Sequence, residues 1–145
     1  MIEDVIASVF HKRGGDGDFE WMIRQNIHNS DLFIFNDNEY HCGTSVKGGG
    51  SASVRPYNIY GYIGKKLDRP MAHGIPTGTF RGYTNLAEGK AAIDASIAEL
   101  RQLIKKYDYI NVYFPADNTG ILGSGIFDVP LNVRLYITKE LRNLL

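Results

Sequence analysis

Two rhythms of apolar residues run through this chain, one suited to strands and one to helices. Asp31-Leu32-Phe33-Ile34-Phe35 and Tyr109-Ile110-Asn111-Val112-Tyr113-Phe114 are short runs rich in β-branched and aromatic residues, the composition of strands. The first is apolar at consecutive positions, which predicts a buried central strand. From Ala87 or Glu88 to Lys106, the residues Ala91, Ala92, Ala95, Ile97, Ala98, Leu100, Leu103 and Ile104 form one broad apolar face, which predicts a long helix. Lys105 and Lys106 fall in its last turn, where cations oppose the helix dipole. Val133, Leu135, Tyr136, Ile137, Leu141 and Leu144 predict a final helix over Val129 to Leu145. Ile2, Val5, Ile6 and Val9 are spaced for a helix, although their β-branching leaves a strand open. Asp18 predicts the cap of a helix over Phe19 to Ile27.

The remaining segments are punctuated by polar residues, Gly and Pro. His11 to Asp18 and Glu39 to Gly50 read as loops. Ser51 to Tyr57 predicts a short helix that Pro56 ends or kinks. Ile59 to Ile63 alternates weakly and predicts a strand, and Lys65 to Pro70 a polar turn. Gly74-Ile75-Pro76-Thr77-Gly78 reads as a structured loop leading into Phe80. Strands interleaved with helices predict an α/β/α sandwich. At 145 residues with no internal repeat, residues 1–145 form one domain, large enough to hold a core without a disulfide or metal.

Lys plus Arg and Asp plus Glu balance at 16 each, so no overall basic excess points to nucleic acid. The single cysteine, Cys42, excludes an internal disulfide and a CxxC metal site. His41, Cys42 and His73 lack the spacing of a metal set. No apolar run approaches the ~20 residues that span a bilayer. The acidic start Met1-Ile2-Glu3-Asp4 predicts neither a secretory nor a mitochondrial leader, and a soluble cytoplasmic protein is the expectation.

The chemistry is concentrated in two glycine-rich segments that follow strands. Phe114-Pro115-Ala116-Asp117-Asn118-Thr119-Gly120-Ile121-Leu122-Gly123-Ser124-Gly125 connects a strand to a helix, and Gly48-Gly49-Gly50 follows Asn36-Asp37-Asn38. Glycine loops let backbone N–H groups close on an anion, and a helix N-terminus adds a favourable dipole. In open α/β sheets such crevices lie at the carboxyl ends of strands. Both segments have plainer readings: tight turns that need positive φ, and Asn and Asp as turn formers. Arg55 is poised either for a phosphate or for a salt bridge. Tyr40, Tyr57, Tyr60, Tyr62 and Phe127 are aromatics for the wall of a base site or for the core.

The run Phe114 to Gly123 resembles the strand and phosphate loop of macrodomains, usually FPAISTGIYG, with changes at Asp117, Asn118 and Leu122. Phe33-Ile34-Phe35-Asn36-Asp37-Asn38 is similar to that family's IVNAAN strand end, and Gly48-Gly49-Gly50 to its GGGVDGAI loop. Similar short chains occur in bacteriophages. The resemblance implies a single macrodomain-like three-layer α/β/α sandwich with a mixed central sheet. It also implies binding, with or without hydrolysis, of ADP-ribose or a derivative, either free or carried on an ADP-ribosylated protein. No cofactor, metal, membrane or nucleic-acid partner is implied. By the same resemblance, Asn38 meets the distal ribose, Gly48, Gly49 and Gly50 approach ribose and diphosphate, and Thr119, Gly120, Ile121 and Gly123 cradle the diphosphate. Asn118 and Leu122 belong to that loop, Phe127 replaces the aromatic missing at Leu122, and Asp16 or Asp18 holds the adenine amine.

Hydrolytic members carry a catalytic Asp where this chain has Ala52, so binder and hydrolase both stay open. If the protein is a hydrolase, Asp37, His41 and Asp117 are the acid–base candidates. A carboxylate at Asp117 repels a diphosphate unless it is turned away, paired or protonated. Two other functions compete: a protein-interaction module that kept the fold without a nucleotide, and a nucleic-acid binder using Arg55, Lys65, Lys66 and Arg69.

Overall fold

Along a strand at Asp31–Asn38, Leu32 and Ile34 point to one face of a sheet and Phe33 and Phe35 to the other, as the two-residue period of a strand requires. All four are fully buried, so both faces are covered. The computed structural model describes residues 2–58, 69–125 and 127–145. The strand expected over 59–63, the turn expected from 65 through 68, Tyr60, Tyr62, Lys65 and Lys66 lie outside the described residues.

Four strands, β1 (Asp4–Val9), β2 (Asp31–Asn38), β3 (Ala72–Gly78) and β4 (Asn111–Ala116), lie in the order β1-β4-β2-β3. One face is covered by α2 (Leu86–Lys106) and α3 (Leu131–Arg142). Ile93, Ile97, Leu100, Val133, Ile137 and Leu141 pack there with Leu32, Ile34, Val112 and Phe114. The other face is covered by the one-turn helix α1 (Phe19–Met22) and the 3₁₀ segment Gly50–Asn58. Phe19, Met22, Val54 and Tyr57 pack there with Phe33 and Phe35. The protein is thus α/β, and its layers are compatible with a three-layer sandwich. The expected mixed sheet is corrected: among the described residues every strand pairing is parallel. β1, β2 and β3 are each followed by a crossover that returns the chain to the same end of the sheet.

Other expectations are corrected as well. Ile2 to Phe10 is not a helix, because Asp4 to Val9 pairs residue for residue with Asn111 to Ala116. Residues 74–78 belong to a strand, not a loop. Pro76 is tolerated because, among the described residues, β3 lies at the edge of the sheet with β2 as its neighbouring strand. Gly74 lies where a Cβ would come within 2.4 Å of Asp37 Oδ2 and 2.8 Å of the Phe35 ring. Asp18 does cap α1, Oδ1 accepting from Trp21 N at 3.3 Å, but the helix stops after one turn and a 3₁₀ turn follows at Asn26–His28. The helix α2 agrees closely with the sequence. Asn85 Oδ1 accepts from Glu88 N at 3.0 Å and Glu88 Oε2 accepts from Thr84 N at 2.9 Å, a reciprocal cap. No helix among the described residues is long and apolar enough to cross a membrane.

The ladder ends at different registers on the two sides of β2. The β2–β4 pairing ends at Phe33↔Tyr113. The β1–β4 pairing continues to Val9↔Ala116, and β2–β3 continues to Asn38. The sheet therefore splits toward its carboxyl end. Beyond β4 the chain passes to α3 on one face, and beyond β2 to the 3₁₀ segment on the other. Such a switch point is where open α/β sheets form ligand crevices.

Candidate functional site

The split between β2 and β4 opens into a cleft with two adjoining lobes, about 190 Å³ and about 720 Å³. Asn36, Lys47, Gly48, Gly49, Ser51 and Gly125 line both. The smaller lobe adds Asp37, Asn38, His41, Arg55 and Phe127. The larger adds Phe10, Arg13, Asp18, Gly50, Pro115, Ala116 and Gly123. Three parallel strands thus deliver their following loops to one place, and the larger lobe has the size of a small-molecule site.

Asn36 sits where the ladder gives out. Beyond the last β2–β4 pair, its backbone N–H donates to Ser51 Oγ at 3.1 Å. Its Nδ2 donates across the split to Gly123 O at 2.7 Å. The residue is only 9% exposed, and among the described residues its Oδ1 has no hydrogen-bond partner. Gly125 lies against it at φ +66°, and a Cβ there would come within 2.9 Å of Asn36 Nδ2. Sequence reasoning missed Asn36 as anything beyond a turn former. The signal available was a polar residue directly following a buried apolar run, at the carboxyl end of a parallel strand.

Beside it, Asp37 and Arg55 form a buried ion pair, their side chains 1% and 5% exposed. Arg55 donates to Asp37 Oδ1 through Nε at 3.0 Å and Nη2 at 2.6 Å, and to Val46 O through Nη1 at 2.8 Å. Asn38 N also donates to Asp37 Oδ1, at 2.8 Å. Of the two roles read for Arg55, the structure gives the salt bridge. Asn38 lines the smaller lobe, but its Oδ1 already accepts from Tyr40 N at 3.0 Å and His41 N at 3.1 Å, the turn role that its residue type allows. Asp18 lines the larger lobe with its carboxylate accepting from Trp21 N and, at 2.8 Å, Gly14 N.

The second glycine loop departs most from expectation. Asp117 Oδ1 accepts from Thr119 N at 2.8 Å, Thr119 Oγ1 at 2.6 Å and Ile121 N at 3.2 Å. Gly120 N donates to Asp117 O, Leu122 N to Thr138 Oγ1 and Gly123 N to Pro115 O. The loop has closed on its own carboxylate, and these amides are not offered to a ligand. Arg134 Nη1 lies 3.3 Å from Asp117 Oδ2. The Thr119 hydroxyl and amide, then the Ile121 amide and Arg134, hold the Asp117 carboxyl below the usual carboxylate range. Asp117, Asn118, Thr119, Gly120, Ile121 and Leu122 do not line the cleft. Leu122 is buried in the core. Of the loop read as a diphosphate cradle, only Gly123, with Gly125 beyond it, reaches the cleft.

His41 and Cys42 point apart. His41 faces the smaller lobe, whereas Cys42 and His73 line a separate cavity that β3 and α2 help to form. Desolvation, then the Asp37 carboxylate, pushes the Cys42 thiol up to about 12, which disfavours the thiolate at neutral pH. Burial lowers His73, whose Nε2 meets Ser96 O at 3.0 Å. No group of three or more His, Cys, Asp or Glu arranged to hold a metal occurs among the described residues. Arg69 is engaged by Asp108 O and the Tyr109 ring. Tyr57 is a core residue, and Phe127 lines the smaller lobe. Tyr40 and Phe80 form an exposed pair with ring centroids 5.2 Å apart. The chain matches no protein-family model, and neither the curated proteins nor the solved structures give a match.

Proposed function

We propose that the cleft binds a nucleotide-type ligand of the ADP-ribose class and that the chain is a macrodomain-like binding module. The observation that carries this reading is the meeting of Gly48–Gly49 and Gly123–Gly125 across the β2–β4 split, with a buried amide at its floor. Two lobes suit an elongated ligand with different groups at its ends. Arg13 lines the larger lobe and supplies positive charge, whereas Lys47, also in the lining, is paired with Glu20 at 2.5 Å. Asp37 and Asp117 have internal partners, which supports binding rather than turnover.

Calorimetric titration with ADP-ribose, using ADP and ATP as controls, tests the reading. Saturable binding of ADP-ribose is expected, abolished in Gly49→Glu and kept in Asn118→Glu, an exposed position outside the cleft. A second reading, a protein-interaction module, is favoured by the exposed Phe80 and Tyr40, at 87% and 60%. No heat and no thermal shift with any nucleotide would discard the first reading for the second.

A further inference from the structure

We infer that Glu20 is a built-in competitor for the ligand: its carboxylate holds Lys47 until a polyanionic group takes its place, so the larger lobe is filled by exchanging one anion for another. This role rests on the binding reading above and gives it a residue that opposes binding.

Glu20 belongs to α1, and Lys47 stands immediately before Gly48 on the connection after β2. Lys47 Nζ donates to Glu20 Oε1 at 2.5 Å. Both residues line the larger lobe, so the pair ties two separate elements of its lining together. The other charges around the cleft are engaged elsewhere. Asp37 and Arg55 hold each other, Asp18 accepts from two backbone amides, and Asp117 is enclosed by its own loop with Arg134 beside it. Among the described residues, Glu20 and Lys47 have no side-chain partner but each other.

Their exposure separates this pair from a structural strut. The two side chains are 58% and 37% exposed for Lys47 and Glu20, against 5% and 1% for Arg55 and Asp37. Water screens an exposed pair, and ordering two long side chains offsets most of the attraction. Such a pair opens readily when a better partner arrives. A neutral group gains nothing by opening it. A single carboxylate replaces Glu20 roughly evenly. A diphosphate brings more charge and more acceptor oxygens than the carboxylate it displaces, and charge-assisted hydrogen bonds to Nζ then favour the exchange. Glu20, left unpaired beside the incoming anion, repels it, so the carboxylate lowers affinity both before and after the exchange.

The test titrates wild type, Glu20→Gln, Lys47→Gln and Glu3→Gln with inorganic diphosphate and with ADP-ribose, after melts show each variant folded. Glu20→Gln should bind both about two- to fivefold more tightly, the range of an exposed pair. Lys47→Gln should bind both about tenfold more weakly. Glu3→Gln makes the same change in net charge at the amino end of β1, away from the cleft, and should stay within about 1.5-fold of wild type. A purely structural pair would lower the melting temperature of Glu20→Gln without tightening binding, and that result would overturn the exchange. Equal tightening in Glu3→Gln and Glu20→Gln, or affinity unchanged in Lys47→Gln, would overturn it too. ADP-ribose binding indifferent to Glu20 and Lys47 would refute the exchange and leave the nucleotide reading intact. The expected pattern with diphosphate but no binding of ADP-ribose would refute the nucleotide reading and leave the exchange standing. Binding of neither by wild type or Glu20→Gln would overturn both.

Discussion

The Asp37–Arg55 pair decides whether Arg55 is free to meet a ligand, and its strength can be worked out. Arg55 gives two donors to one carboxylate oxygen and a third to Val46 O, with both side chains almost wholly buried. Arg55→Met leaves the Asp37 charge buried with no cation beside it, held by the Asn38 amide and the Cys42 thiol. Asp37→Asn leaves a guanidinium buried against a neutral amide. Breaking a buried pair from one side costs about 3–5 kcal/mol, set against a total stability of about 5–15 kcal/mol. Either variant should therefore lose a large part of its stability. The double variant should lose little more than either single one, because the penalty is that of the orphaned charge. Urea unfolding followed by the fluorescence of Trp21, the chain's only tryptophan, measures all four proteins, with the slope m unchanged. Single losses below about 1 kcal/mol, or a double loss equal to their sum, would refute the pairing and return Arg55 to the set of phosphate-binding candidates.

Four further outcomes are expected. Gly125→Ala should cost about 1 kcal/mol for a left-handed backbone and weaken ligand binding by displacing Asn36. Gly43→Ala, at φ +79° with nothing within 4 Å of the added Cβ, should cost similar stability in a melt and leave binding unchanged. The Asp117 carboxyl is held below its ordinary value of 3.8, so its contribution is present above that value and lost as pH falls through the lower folded value. Melts of wild type and Asp117→Asn should accordingly converge with acidification, and a constant gap would contradict the loop geometry. Cys42, with its thiol pushed up to about 12, should react with iodoacetamide at pH 8 far more slowly than an ordinary thiol near 8.5; rapid complete alkylation by intact mass would be incompatible with that environment.

The strands β2 and β4 and the helix α2 were legible because composition, periodicity and capping agree there: Phe33 with Ile34, Val112 with Phe114, and Asn85 with Glu88. The strand β1 was ambiguous because four apolar residues within eight positions satisfy a helical spacing and a strand alike, and only the partner strand decides. The strand β3 was hidden by Gly74 and Pro76, which punctuate loops unless an edge position and a close neighbour excuse them. At the site, the carboxyl-end location and Gly48 and Gly49 were readable. The loop Asp117 to Leu122 was not, because its own aspartate competes for the amides that an anion would use, although the repulsion expected of Asp117 was the clue. Asn36 was concealed by a strand that runs three residues beyond its apolar run, turning what looks like a turn former into a buried amide.

The self-closed loop after β4 has a thermodynamic corollary. A segment that carries its own counter-anion is ordered before anything enters the cleft, so the wall formed by Gly123 and Gly125 is preorganised, and a guest meets no ordering penalty on that side. The entropic cost of binding then falls on the opposite wall, where Lys47, Gly48 and Gly49 stand at the end of a long connection. On the proposed reading, affinity in this cleft is most readily tuned by stiffening residues 42–45 of that connection, none of which lines it.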